Sequence, residues 1–180
     1  RHPPGNNQRL LSIFIEREAA KRFVRAVLRP QDEIALFDFA DTVREIVPFT
    51  NQPRRIDQGL GNLQPGDETA LYNAIYLASQ RLGQTSPAAN RRRVLVVISD
   101  GGDSANGKRY GQAVAQAQRA DAMIYSIIVV PIAADAGRNT GGEHARIQMS
   151  RDTGGKYYYV QSPADLAPAS QHISQDLRTQ

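Results

Sequence analysis

The side chains best suited to chemistry in this sequence are one aspartate and one threonine, each next to a loop that contains glycine. Asp100 opens the segment 100–103 (DGGD), which follows a run of apolar residues. Thr69 stands at the predicted start of a helix, after the loop 61–68. A carboxylate and a hydroxyl are hard oxygen ligands, and they suit Mg²⁺, Ca²⁺ or Mn²⁺. From the residues alone, a plain turn at Asp100 and a helix N-cap at Thr69 are the alternatives.

Several other kinds of site are excluded or disfavoured by composition. The chain has no cysteine, so it holds no disulfide, no thiolate nucleophile and no zinc–thiolate centre. Its three histidines share no ligand spacing, and it contains neither a nucleotide-binding glycine motif nor a serine nucleophile elbow. The net charge of +4 is mild. The basic cluster 91–93 has no interleaved aromatic residues, so we expect a solvated loop end and no nucleic-acid partner.

The element that positions Asp100 is the apolar run 94–99, which predicts a strand buried on both faces at the centre of a parallel sheet. Helical periodicity and capping signals surround it. The predicted helices cover 10–28, 54–60, 69–81, 110–121, 143–153 and 163–178, the predicted strands cover 33–39, 43–49, 94–99, 123–130 and 156–160, and a long loop covers 131–142.

Together these elements predict an α/β fold. Its sheet is doubly wound and mostly parallel, with one antiparallel edge strand and helices on both faces. The length of 180 residues favours a single domain spanning 1–180. No apolar run is long enough to cross a membrane. The first eight residues are polar and are expected to form a loop without the apolar centre of a signal peptide.

The order and spacing of these pieces resemble a von Willebrand factor A-type domain, in particular a related bacterial group. The matching segments cover most of the chain, and TALYNAI with VVISDGGD is the most specific part. The resemblance implies a metal-ion-dependent adhesion site at the carboxyl edge of the sheet. In such a site one loop supplies a threonine, which matches Thr69, and another supplies an aspartate, which matches Asp100.

The resemblance also shows one departure. The first metal-site motif of the family, Asp-x-Ser-x-Ser after an apolar strand, occurs nowhere in the 180 residues. In the family that strand lies between the strands predicted at 33–39 and 94–99. Its absence would leave a slot in the sheet with unpaired backbone groups, so we expect this chain to be a fragment of a longer one.

The resemblance implies a protein-binding module of the adhesion type rather than an enzyme. The expected cofactor is a divalent cation, foremost Mg²⁺, and the expected partner is a protein that offers an acidic side chain to the cation. The resemblance also favours an exported protein. Two alternatives remain: a scaffold domain that has lost the metal, and a metal-dependent hydrolase using Asp100 and Asp103, for which no general base stands out.

Overall fold

A computed structural model describes residues 6–63, 70–85, 92–99, 107–130 and 140–179 of the chain. Its elements alternate between helix and strand over most of its length. In chain order they are α1 (Asn6–Val27), β1 (Ile34–Phe39), β2 (Val43–Thr50), α2 (Pro53–Leu60), α3 (Leu71–Gly83), β3 (Arg93–Ser99), α4 (Tyr110–Arg119), β4 (Ala122–Val129), α5 (Thr140–Asp152), β5 (Tyr157–Val160), a 3₁₀ turn (Pro163–Asp165) and α6 (Leu166–Thr179). None of the described helices is long and apolar enough to span a membrane.

The strands form one parallel and one antiparallel group. β3, β4 and β5 are parallel neighbours in that order, with Ser99 opposite Ile128 and Val160 opposite Val129. Their carboxyl ends therefore lie along one edge, which we call the carboxyl edge. β1 and β2 pair antiparallel. This arrangement confirms the predicted α/β class with a mostly parallel sheet.

Helices cover both faces of β4, whose side chains alternate between two apolar clusters. Tyr125, Ile127 and Val129 belong to a cluster with buried residues of α1, α2 and α6. Ile124 belongs to a second cluster with buried residues of α3 and α4 and with Met149 of α5. This period of two in burial is what a strand between two helical layers requires.

The prediction that β3 is buried on both faces is only partly correct. Val97 and Ser99 are buried, but Val94, Leu95 and Val96 are only half-buried. The reason lies in the pairing, because β3 has β4 on one side, and within the described residues it shares no ladder with β1. These are the two strands between which the expected slot was placed.

Four helices begin two or more residues away from their predicted starts. α1 begins at Asn6 rather than residue 10, since its first residues are polar and add nothing to the apolar periodicity. α3 begins at Leu71 rather than at residue 69, with Ala70 as its N-cap. α5 begins at Thr140 rather than residue 143, so Gly141 and Gly142, which were predicted to lie in a loop, belong to its first turn. The last of them, α6, begins at Leu166 rather than at residue 163, because Pro163–Asp165 forms a 3₁₀ turn.

The basic cluster also departs from its prediction. Arg93 is half-buried, and its two terminal nitrogens donate hydrogen bonds to the carbonyl oxygens of Ala120 at 2.9 Å and Thr85 at 2.8 Å. This side chain therefore joins the ends of α3 and α4 at the start of β3, and is not a solvated loop residue. Arg92 is exposed, as expected.

The pairing predicts a pattern of amide hydrogen exchange in the 180-residue chain. Successive N–H groups of a parallel strand point to opposite sides, so in β3 alternate amides bond β4 and exchange slowly, while those between them exchange fast. In β4, Ser126 to Val129 have a neighbouring strand on both sides and exchange slowly throughout. Residue-resolved exchange by NMR tests this. Uniform protection along β3 would mean that another strand covers its second side.

Close packing of backbone against backbone predicts opposite effects for two glycine substitutions. A Cβ on Gly155, just before β5, would lie 1.9 Å from the Ile124 carbonyl oxygen, whereas a Cβ on Gly111 in α4 would meet nothing within 4 Å. Gly155→Ala should lower the free energy of unfolding by about 1–3 kcal/mol. Gly111→Ala should raise it by about 0.5 kcal/mol. Urea denaturation measures both, and equal effects would contradict the packing.

Candidate functional site

The two predicted ligands, Thr69 and Asp100, lie outside the described residues, and their described neighbours are Ala70 and Ser99. The Ala70 amide donates a hydrogen bond of 2.8 Å to the carbonyl oxygen of Ala40, just after β1. Leu71, the first residue of α3, packs in the same apolar cluster as Val97 of β3. The start of α3 therefore lies close to the ends of two strands.

The backbone of Ala70 accounts for the start of α3 at Leu71 rather than at residue 69. Ala70 has backbone angles of φ −86° and ψ 53°, which are not helical. The first amides of a helix have no partner within it, and the Ala70 amide is satisfied by the Ala40 carbonyl oxygen. No property of an alanine side chain signals such a bond, so the sequence alone could not reveal it.

A second contact ties α3 to residues 107 and 108, just before α4. The side-chain oxygen of Asn73 accepts a hydrogen bond of 2.7 Å from the backbone amide of Lys108. The fit is tight, since a Cβ on Gly107 would lie 2.5 Å from that oxygen. Lys108 also places its ammonium 4.3 Å from the ring centre of Tyr76. Sequence analysis gave Asn73 no role, because its partner is a backbone group 35 residues away.

A buried arginine that was not predicted from the sequence lies at the carboxyl edge. Arg146 of α5 is only 1% exposed. Its Nη1 donates to the carbonyl oxygen of Ser99, the last residue of β3, and its Nε donates to the carbonyl oxygen of Gly142 at 3.2 Å. Removing a guanidinium from water costs on the order of several kcal/mol, so only specific partners make this position stable. Sequence analysis did not single out Arg146, since arginine on a helix is usually solvated.

Arg146 belongs to a group of buried polar residues between α5 and the sheet, which we call the α5 polar seam. Its members are Ser99, Ser126, Glu143, Arg146 and Ser150, all of them buried. The hydroxyls of Ser126 and Ser150 share a hydrogen bond of 2.9 Å, and the Ser126 hydroxyl also donates to the Arg146 carbonyl oxygen at 3.3 Å. Glu143 accepts a hydrogen bond of 3.3 Å from the hydroxyl of Tyr159 in β5. The seam thus joins α5 to β3, β4 and β5 by directional bonds.

A separate polar contact lies near the opposite end of β5. Lys156, just before β5, donates a hydrogen bond of 2.7 Å to Asp176 of α6, and this bond raises the lysine pKa. The Tyr125 hydroxyl bonds the other oxygen of the same carboxylate. Burial first, and then this bond, raises the pKa of Tyr125 above its ordinary value of 10.0. The contact joins α6 to the sheet and contains no atom of the carboxyl edge.

The described residues do not by themselves form a metal site. In that part of the chain, no three histidine, aspartate or glutamate side chains stand close enough to hold an ion. The donor chemistry of Thr69 and Asp100 still fits a hard cation, since both offer oxygen. Two ligands do not fill the coordination shell of Mg²⁺, so further oxygens from water, from the rest of the polypeptide or from a partner would be needed.

A family model described as von Willebrand factor type A domain matches residues 9–103. No curated protein matches the chain. Among solved structures, the conserved hypothetical protein BatB from Bacteroides thetaiotaomicron is similar with a TM-score of 0.68 and 21% identity, over 93% of this chain and 89% of BatB.

Two further structures with the same fold are a mussel byssus protein and a pilus adhesin. Proximal thread matrix protein 1 from the mussel byssus, with a zinc-occupied MIDAS motif, has a TM-score of 0.69 at 11% identity, over 96% of this chain and 44% of its own. The open form of the pilus adhesin SpaC from Lactobacillus rhamnosus GG has a TM-score of 0.68 at 10% identity, over 92% and 28%. This chain thus spans less than half of either protein.

At such low identities these three likenesses show the fold alone. The sequence match is of a different kind, because it covers more than half of the chain and includes the segment around Thr69 and the end of β3. This chain belongs to the von Willebrand factor type A domain family.

Proposed function

We propose that this chain is a protein-binding module that holds a divalent cation at the carboxyl edge, with the Thr69 hydroxyl and the Asp100 carboxylate among the ligands. The observation that carries the proposal is the convergence of their described neighbours. Ala70 is bonded to Ala40, just after β1, and Leu71 belongs to the same apolar cluster as Val97 near the end of β3. The residues next in sequence to both proposed ligands therefore belong to one region of the fold.

The chemistry of these ligands indicates which cation and which partner to expect. Two oxygen donors, one neutral and one anionic, leave positions for water and for one group from outside, which suits Mg²⁺ and also Ca²⁺ or Mn²⁺. A carboxylate of a partner protein would complete the shell. In the proposed role, Thr69 binds through its hydroxyl, and Asp100 binds directly or through water.

The family supports binding over catalysis. Domains of this type are generally interaction modules, and the similar structures include a pilus adhesin and a byssus matrix protein with a zinc-occupied MIDAS motif. The zinc is a property of that protein; for this chain we propose Mg²⁺ first. A metal-dependent hydrolase is the weaker alternative, since it needs a base near the cation and the sequence offers no obvious one.

A metal-independent scaffold is the second candidate function, and one observation favours it. The α5 polar seam holds the end of β3 through protein groups alone, with Arg146 bonded to the Ser99 carbonyl. An edge that is already ordered in this way can present a surface to a partner without a cation. The two candidates differ in their response to chelators, which makes them separable by experiment.

Removing either proposed ligand should weaken cation binding. We expect Thr69→Ala and Asp100→Ala each to raise the dissociation constant for Mg²⁺ by at least about tenfold, because a direct oxygen ligand is lost. Asp57→Ala is the matched control for the charge change, since Asp57 lies on α2 in a loose ion pair of 3.6 Å with the exposed Arg25. Isothermal titration with Mg²⁺ measures all four proteins. Unchanged affinity in both ligand variants would contradict the assignment.

The acidic-partner hypothesis is tested with peptides that differ only in charge. We expect a panel of immobilised peptides containing glutamate to retain the chain in Mg²⁺ and to release it in EDTA, because the cation bridges the two carboxylates. Matched peptides with glutamine should retain it in neither buffer. Retention that survives EDTA and the Asp100→Ala change would instead support the scaffold.

A further inference from the structure

We propose that Arg146 is the positioning residue of the cation site, acting through the end of β3. The inference rests on the proposed function and concerns a residue that supplies no ligand itself. Its starting point is the pair of bonds from one guanidinium to the carbonyl oxygens of Ser99 and Gly142. These bonds connect the last residue of β3 to the first turn of α5.

The Ser99 carbonyl is the right group to hold if Asp100 is to be positioned. The carbonyl carbon of Ser99 and the backbone nitrogen of Asp100 belong to the same planar peptide group. A donor that fixes this oxygen therefore limits the rotation of the peptide group between Ser99 and Asp100. Arg146 therefore acts on the backbone of the proposed ligand through this peptide group.

The guanidinium is well suited to this task. It stays charged at every physiological pH, and its donors point in directions set by a rigid plane. With 1% of Arg146 exposed, water cannot compete for those donors. A solvated arginine would move among many rotamers, whereas this one is confined by packing and by its partners.

The helix that carries Arg146 is itself held against the sheet. Ser150, one turn further along α5, shares a 2.9 Å hydrogen bond with Ser126 of β4. Glu143, one turn earlier, accepts from Tyr159 of β5 at 3.3 Å. Contacts on both sides of Arg146 thus fix α5 relative to β4 and β5. Because α5 is held in this way, the guanidinium can fix the end of β3 through the Ser99 carbonyl.

Arg146 affects the affinity for Mg²⁺ in two opposite ways, through its positive charge and through its positioning of the end of β3. A buried cation close to the proposed site repels Mg²⁺, so removing the charge alone would strengthen binding. Loss of positioning would weaken it. The sign of the change in affinity therefore shows which effect dominates, and positioning requires weaker binding.

The experiment compares Arg146→Met, Arg146→Lys and the wild-type chain in Mg²⁺ titrations. Arg151→Met is the matched control, since Arg151 is an exposed arginine on the same helix. We expect Arg146→Met to bind Mg²⁺ about tenfold more weakly or worse. Arg146→Lys should recover part of the loss because an ammonium can still donate to the Ser99 carbonyl, and Arg151→Met should match wild type.

A spectroscopic readout separates positioning from a general loss of structure. In labelled protein without cation, the carbonyl ¹³C shift of Ser99 should move in Arg146→Met and return part of the way in Arg146→Lys, while the shifts of β4 stay in place. If Arg146→Met does not fold, Arg146→Lys alone decides, since it keeps the charge but lacks the planar fork. A changed Ser99 shift together with unchanged Mg²⁺ affinity in that variant would overturn the proposal.

The outcomes for the two proposals are distinct. A wild-type chain that binds no Mg²⁺ overturns the proposed function and, with it, a role for Arg146 in cation binding. A wild-type chain that binds Mg²⁺, together with an Arg146→Met variant that binds equally well or more tightly, overturns the role of Arg146 alone. Weaker binding in Arg146→Met with partial recovery in Arg146→Lys supports both.

Discussion

The parallel pairing of β4 with β3 and β5 is the constraint on which the rest of the structure depends. It brings the carboxyl ends of three strands to one edge and gives each helical layer a surface to cover. Both apolar clusters meet at β4, through Tyr125 and its alternate residues on one face and Ile124 on the other. The register of β3, β4 and β5 therefore determines where the strand ends that form the carboxyl edge lie.

Much of the fold could be predicted because apolar pattern and turn residues act locally. The runs that became β3 and β4 are nearly free of polar residues, and their boundaries agree with the structure to within one residue. The burial of β3 was harder to predict, since it depends on which strand lies beside it. Among the described residues β3 pairs with β4 alone, and Val94 and Val96 are half-buried, which the apolar character of valine cannot reveal.

The site was predictable only where side-chain chemistry is distinctive. Thr69 and Asp100 were selected by residue type and by the family motif, and both stay predictions. Asn73 and Arg146 were missed for a common reason: their partners are backbone groups of Lys108 and Ser99, distant in sequence. A backbone carbonyl or amide has no residue-specific signature, so contacts of this kind become visible only in three dimensions.

In the proposed function, two kinds of interaction order the carboxyl edge. A bound cation would draw oxygen ligands together, whereas the buried guanidinium of Arg146 already holds the Ser99 carbonyl oxygen. With the polar seam in place, an arriving cation would meet a β3 end that is already set. Binding would then cost less conformational entropy, at the expense of repulsion from the nearby positive charge.

The separation of β1 from β3 among the described residues has a mechanical consequence. Within the described residues, no backbone ladder connects the β1–β2 hairpin to the parallel strands, and the two parts are joined through helices such as α3, whose Leu71 packs near both Phe39 and Val97. Tension applied across this division would load apolar side-chain contacts rather than rows of hydrogen bonds. The hairpin would yield first under force, while β3, β4 and β5 stayed together as the stiffer unit.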